Sequence, residues 1–160
     1  MAINVGDKVP VGALGHKTVD GINPVTTDEL FSGKKVVLFS VPGAFTPTCS
    51  AKHLPGFVQQ ADAIKAKGVD TIACMAVNDP FVMEAWGKDQ NVGNAVLMLA
   101  DGSAKYANAL GLELDLNERG LGIRSQRFAM IVDDGIVSEL MIAGAGDFGA
   151  TSAESVLEKL

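Results

Sequence analysis

Val36-Val37-Leu38-Phe39-Ser40-Val41-Pro42-Gly43-Ala44-Phe45-Thr46-Pro47-Thr48-Cys49 is the stretch that decides how this chain is read. Its first part is an apolar run of strand length, which predicts a buried strand over 36–41. Pro42 and Gly43 break that run, and beyond Cys49 the residues Leu54, Phe57, Val58, Ala61 and Ile64 recur at helical spacing until Gly68. The piece between is therefore a strand-to-helix loop. Thr46 has the chemistry of an N-cap and Pro47 suits the first helical position, which puts Cys49 in the first turn. Free N–H groups and the positive end of the helix dipole favour an anion there, so a thiolate gains more from that place than a thiol does. Pro55 cannot donate to the carbonyl of Ala51, so a kink is expected one to two turns beyond Cys49.

Downstream, strand and helix patterns continue to alternate. Thr71 to Val77, containing Cys74, reads as a second strand, and Asn78-Asp79-Pro80 opens a helix with Asp79 as its cap. Ala95 to Ala100 reads as a third buried strand, Ser103 to Leu110 as a short helix stopped by Gly111, and Leu112 to Gln126 as loop. Phe128 to Val132 and Ile136 to Ile142 are strands joined by Asp133-Asp134-Gly135, a hairpin signal, and Thr151 with Glu154 caps a last helix ending at Leu160. Upstream, Thr18-Val19-Asp20-Gly21-Ile22 suggests a hairpin turning at Asp-Gly, and Thr26 with Glu29 fits a capping box whose short helix Gly33 closes. Such an order predicts an α/β, thioredoxin-like fold: a central mixed sheet flanked by helices, with an N-terminal hairpin extension, in a single domain over residues 1–160.

Composition narrows the function. The 160 residues suffice for one domain with a full core, and 48% apolar with 20% charged residues is an ordinary globular balance. A net charge of −6 argues against a nucleic-acid or anionic-membrane surface, both of which need a basic stripe. No apolar run approaches the roughly 20 residues that span a bilayer. Met1 to Asp7 has neither a basic start nor an apolar core, so no secretory signal and a cytoplasmic setting are expected. In such a reducing compartment Cys49 and Cys74 are read as buried small hydrophobes or reactive thiols, not as a permanent bridge.

Other motifs carry less. Gly144-Ala145-Gly146-Asp147-Phe148-Gly149 matches the dinucleotide fingerprint by letter, but it lacks the following strand and the acidic residue about 20 positions on, so a glycine-rich loop is the better reading. Zinc is not expected, because the two cysteines and two histidines do not stand at ligand spacing. His53, one turn after Cys49, is poorly placed as a catalytic base and reads as a solvent-facing or capping residue; His16 reads as a surface residue. Arg119 and Arg124 read as part of a solvated loop. Arg127 differs, since it borders the strand at Phe128, where a sheet end could present its guanidinium beside the Cys49 loop and stabilise a thiolate and developing oxygen charge. Cys74 lies mid-strand, where a buried core thiol is the plain reading and a resolving thiol, reached by local unfolding, is the sharper one.

Pro42, Thr46 and Cys49 also make a motif that resembles the one at the centre of the peroxiredoxins. The chain resembles the type II group, plant type II and mammalian atypical two-cysteine-like, through Pro42 to Cys49, Lys52-His53-Leu54-Pro55-Gly56-Phe57, Val77 to Met83 and Ser125-Gln126-Arg127-Phe128-Ala129. The resemblance implies a thiol peroxidase acting on hydrogen peroxide and small alkyl hydroperoxides. Cys49 would form the sulfenic acid, Thr46 hold thiolate and peroxide, Pro42 shield the sulfur, and Arg127 activate it. It implies no cofactor, an external thiol (thioredoxin, glutaredoxin or glutathione) as co-substrate, and a homodimer to which Phe45, Phe81 and Trp86 could contribute. The mammalian resolving cysteine would fall near Thr151 and is missing, whereas Cys74 keeps a plant-like spacing as a candidate resolving thiol. The competing readings are a thioredoxin-like binding or chaperone module with an inert Cys49, and a Cys-dependent hydrolase.

Overall fold

The structure, a computed structural model, describes residues 2–143 and 148–160. Gly144 to Asp147, the first four residues of the fingerprint-like motif, lie outside the described residues. The strands are β1 (Ala13–Thr18), β2 (Gly21–Thr26), β3 (Lys35–Ser40), β4 (Thr71–Ala76), β5 (Leu97–Ala100), β6 (Glu113–Leu116), β7 (Gly122–Ser125), β8 (Phe128–Asp133) and β9 (Ile136–Ile142). Helices are α1 (Thr27–Phe31), α2 (Leu54–Ala66), α3 (Pro80–Asp89), α4 (Lys105–Leu110) and α5 (Ala153–Lys159). Seven strands form one mixed sheet in the order β2-β1-β5-β4-β3-β8-β9. β3, β4 and β5 run parallel, as crossover helices require, while β8 lies antiparallel against β3.

Period-2 alternation divides the core into two layers. Val37 and Phe39 of β3, Ile72 and Cys74 of β4, and Ala129 and Ile131 of β8 face α2, α3 and α5. The residues between them, Val36, Leu38, Ala73, Met75, Phe128 and Met130, face α1, α4 and the N-terminal segment. Both sheet faces are thus covered, which is why β3 reads as a continuous apolar run. Between Phe39 and Phe57 the rings stack at 3.9 Å with 7° between planes, a geometry worth about 0.5–1.5 kcal/mol beyond area burial.

Several local signals act as expected. Thr26 accepts from the Glu29 N–H at 3.1 Å, and Asp79 accepts from the Val82 N–H at 2.8 Å with Pro80 next in line. Asp134 and Gly135 both take positive φ, 48° and 82°, which the two-residue turn between β8 and β9 demands.

Other expectations are corrected. The first hairpin turns on Val19-Asp20, and Gly21 already pairs with Thr18. Residues 112–126 are not plain loop: Leu114 and Leu116 alternate with Glu113 and Asp115, and β6 pairs antiparallel with β7 around a turn that Gly120 closes at φ 72°. The last helix is capped by Ser152, which accepts from the Ser155 N–H, because the Thr151 hydroxyl is engaged with the Phe148 carbonyl.

The expected kink beyond Cys49 also takes another form. Pro47 and Thr48 are helical, but Cys49–His53 is a π-helical turn in which the Leu54 N–H reaches back five residues to the Cys49 carbonyl. A regular α-turn over Ala51–Pro55 would set the proline ring against the Ala51 carbonyl, and the widened turn stands at that place. α2 continues the same helical run with Pro55 as its second residue, so the widened turn before it, not a free helix end, accommodates the missing N–H.

Candidate active site

Cys49 is wholly buried on the α2 side of the sheet. Its loop leaves β3 at Val41, whose N–H still bonds to the Met75 carbonyl, and then departs from regular structure from Pro42 to Thr46. Three contacts shape this loop. The Thr46 hydroxyl donates to the Gly43 carbonyl at 2.7 Å, the Ala44 N–H donates to Asn78 Oδ1 at 2.9 Å, and Arg124 Nη1 donates to the Pro42 carbonyl at 3.3 Å. Phe45 has φ 64°, a left-handed conformation that costs a non-glycine residue about 1–2 kcal/mol and must be held by its surroundings. Helical bonding starts at Thr46, whose carbonyl accepts from the Ser50 N–H at 2.9 Å. Thr46 therefore stands at the helix start as expected, with its hydroxyl turned back into the loop.

The reach of Arg127 follows from strand alternation. Phe128 pairs with Ser40 and faces one layer, so Arg127 faces the other, two residues from Ala129 and on the side of Cys49. Its Nη2 donates to Cys49 Sγ at 3.1 Å. Its Nη1 donates to His53 Nδ1 at 2.7 Å.

His53 is the residue the sequence reading missed. It is completely buried rather than solvent-facing, with its ring 5.0 Å from Phe39, 5.6 Å from Phe57 and edge-on to Phe148 at 5.5 Å. A guanidinium can only donate, so Nδ1 must accept; Nε2 then carries the proton and donates to the Thr151 carbonyl at 2.9 Å. Burial is the main cause that lowers its pKa to about 3, with the Arg127 charge adding to it and the Thr151 carbonyl opposing. The imidazole is thus neutral throughout the physiological range. It is an orienting group for Arg127, not a base for the thiol.

Cys74 lies in mid-β4, paired with Phe39 and Met98, and is fully buried in the same layer as Cys49. Burial, and then the charge of Cys49, push its thiol well up, against a smaller lowering by Arg127. Both cysteines are free. Arg124, expected in a solvated loop, is instead half-buried against the Pro42 loop, whereas Arg119 is exposed. Trp86 is buried and donates Nε1 to Ser50 Oγ at 3.0 Å, one residue past Cys49, while Phe45 and Phe81 are 52% and 59% exposed. His16 is half-buried and borders a surface cavity of about 690 Å³ between Lys17, Lys65, Glu84 and Lys88, which no residue of the Cys49 site lines. Among the described residues no three His, Cys, Asp or Glu side chains gather as metal ligands would.

A buried sulfur held by a guanidinium, under a loop rich in carbonyl and hydroxyl groups, can carry a nucleophilic thiolate and steady negative charge that develops on an attacked oxygen. Known proteins carry the same arrangement of sequence and fold. The Redoxin family profile matches residues 4–157. Over 159 residues, covering 99% of this chain and 98% of the relative, 50% of positions are identical with Peroxiredoxin-2B of Arabidopsis thaliana. Identity with Peroxiredoxin-2C of Oryza sativa subsp. japonica is 52% over 159 residues, with coverage of 99% and 98%. The solved structure of reduced Prx3 from Vibrio vulnificus in complex with H2O2 superposes with a TM-score of 0.94 at 51% identity, covering 98% of each chain.

Proposed function

Because this chain belongs to the Redoxin family and, within it, to the type II peroxiredoxins, thiol-dependent peroxidases, we propose that Cys49 is its peroxidatic thiol and that hydrogen peroxide and small alkyl hydroperoxides are its substrates. The observation that carries the assignment is the 3.1 Å hydrogen bond from Arg127 Nη2 to Cys49 Sγ. A guanidinium in hydrogen-bond contact with the sulfur stands where negative charge is carried in the attack on peroxide.

The proposed reaction balances simply. The Sγ lone pair attacks one peroxide oxygen, the S–O bond forms as the O–O bond breaks, and the other oxygen leaves as hydroxide or alkoxide and takes a proton to become water or alcohol. Cys49 becomes a sulfenic acid. Arg127 stabilises the sulfur before attack and the oxygen charge during it. The neutral His53 holds the guanidinium in the plane where it serves both. Thr46, its own proton given to Gly43, offers oxygen lone pairs to a peroxide O–H, and Pro42 screens the sulfur from bulk water. At an ordinary pKa of about 8.5 a thiol is a few per cent ionised at neutral pH, so ionisation alone gains only tens of fold; positioning must supply the rest.

Recycling needs a second thiol. A thiol of the reductant attacks the sulfenic acid, water leaves, and a further thiol releases Cys49 as the free thiol. We assign this to an external reductant, thioredoxin, glutaredoxin or glutathione, since Cys74 is buried and its thiol is held protonated. The free thiols fit a reducing, cytoplasmic setting, which fractionation tests. Exposed Phe45 and Phe81 support a homodimer formed near the site.

Peroxide consumption by wild type and Cys49→Ser, each supplied with thioredoxin and glutathione systems, tests the assignment. The serine variant loses turnover; retention of wild-type turnover would remove Cys49 from its role. Absence of both peroxide consumption and Cys49 alkylation in the wild type would point instead to a binding module with an inert Cys49.

A further inference from the structure

We propose that Arg124 is a positioning residue that holds the Pro42–Thr46 loop over Cys49, a role that rests on the peroxidase reading above. Three observations meet at its guanidinium. Nε donates to the Leu121 carbonyl at 2.8 Å, which fixes the side chain along β7, and Nη1 donates to the Pro42 carbonyl at 3.3 Å. The buried Gly43 lies directly beneath: a Cβ there would stand 2.9 Å from Arg124 Nη1 and 3.3 Å from the Thr46 methyl. Gly43 has an ordinary negative-φ backbone, so its missing side chain serves the close approach of these two groups rather than a special turn.

The loop it holds has reason to move. Phe45 is in the left-handed region, and between Val41 and Ser50 the backbone N–H groups find only one side-chain partner, Asn78 on Ala44, among the described residues. Ser40 and Ser125, the last residues of β3 and β7, share a buried hydroxyl bond of 2.7 Å at the base of the loop. That bond ties the two chain segments together below, and Arg124 ties them above. Through Pro42 and Gly43 the guanidinium reaches the carbonyl to which Thr46 donates. Arg124 thus sets where the Thr46 oxygen sits, while Arg127, three residues on, sets the state of the sulfur.

This division of labour predicts a split between two reactions of one sulfur. Peroxide reduction needs the loop in register; alkylation by iodoacetamide needs only a reactive, accessible thiolate. In single turnover followed by the fluorescence of Trp86, Arg124→Ala and Arg124→Met lower the second-order constant for hydrogen peroxide about 10- to 100-fold, the range for a misplaced reacting group. Alkylation of Cys49 does not fall, since the Arg127 contact is intact, and it quickens where the released loop uncovers the buried sulfur. Arg124→Lys restores part of the loss, because an ammonium can reach one carbonyl but cannot reproduce the fork. Gly43→Ala displaces the guanidinium and mimics Arg124→Ala, and in the double variant the two effects do not add.

Unchanged peroxide constants in Arg124→Met and Gly43→Ala overturn the proposal, as does an equal fall in peroxide reduction and alkylation, which would mean general loosening of the site. Additive effects of Gly43→Ala and Arg124→Ala also overturn it. Gly43→Ala and Arg124→Met decide the matter if Arg124→Ala does not fold. Each arm is separate from Cys49→Ser, whose retained turnover would sink the peroxidase reading itself.

Discussion

Acidification should unfold this protein through His53. The ring is neutral in the fold, its pKa lowered to about 3, but titrates at 6.5 in the unfolded chain. Below pH 6.5 the unfolded state therefore binds a proton that the native state refuses, so stability is full above that pH and falls as pH drops toward the native value. The slope is about 1.4 kcal/mol per pH unit, so at pH 5 the loss is about 2 kcal/mol. With a urea m-value of about 2 kcal/mol/M, the midpoint drops by about 1 M between pH 7 and pH 5. Burial and Arg127 both resist the proton, and the Thr151 carbonyl, already paired with Nε2–H, opposes them. Urea titrations of wild type and His53→Gln at both pH values isolate the effect, because glutamine can accept from Arg127 without titrating. Equal midpoint shifts in the two proteins would refute the reasoning, for the acid sensitivity would then come from other groups.

Arg127→Ala should slow peroxide reduction by about 100-fold, the cost of one lost donor at a developing charge, and should also slow iodoacetamide alkylation near neutral pH, which separates it from the Arg124 variants. After one equivalent of peroxide, mass spectrometry of the native protein should find a Cys49 sulfenic acid, trapped by dimedone or glutathione. A Cys49–Cys74 bridge should form only when mild denaturant opens β4, and rapid native bridging would show Cys74 to be a resolving thiol. Phe45→Asp with Phe81→Asp should leave the fold intact and shift sedimentation toward monomer; an unchanged sedimentation coefficient would place the dimer contact elsewhere.

Much of this architecture is written locally. Asp79-Pro80, Thr26 with Glu29, and Asp134-Gly135 each specify a cap or turn through contacts within a few residues, and the apolar run at β3 announces burial on both faces. Arg127 could be anticipated because it borders a strand end, and alternation from Ala129 decides which way it faces. His53 could not, since helical phase at 3.6 residues per turn misjudges a residue inside a π-turn, and its partners Arg127 and Thr151 are 74 and 98 positions away. Arg124 was hidden similarly: its partner carbonyl at Pro42 is 82 positions away, and the glycines around β7 obscured the alternation of Leu114 and Leu116 that forms the hairpin. Cys74 shows the converse, for an unbroken apolar context is enough to predict a buried thiol.

The antiparallel insertion of β8 beside β3 has a consequence for the life of the chain before it is complete. Cys49 and Arg127 are 78 positions apart, and nothing brings them together until β8 has docked on β3. A nascent chain that has emerged only as far as α4 carries the cysteine without its guanidinium, and without the His53 ring pinned by Thr151. Its sulfur then has no guanidinium within reach. On the assignment of Cys49 proposed above, full reactivity arrives with the last quarter of the polypeptide, so the rate at which Cys49 meets a peroxide is also a clock for maturation.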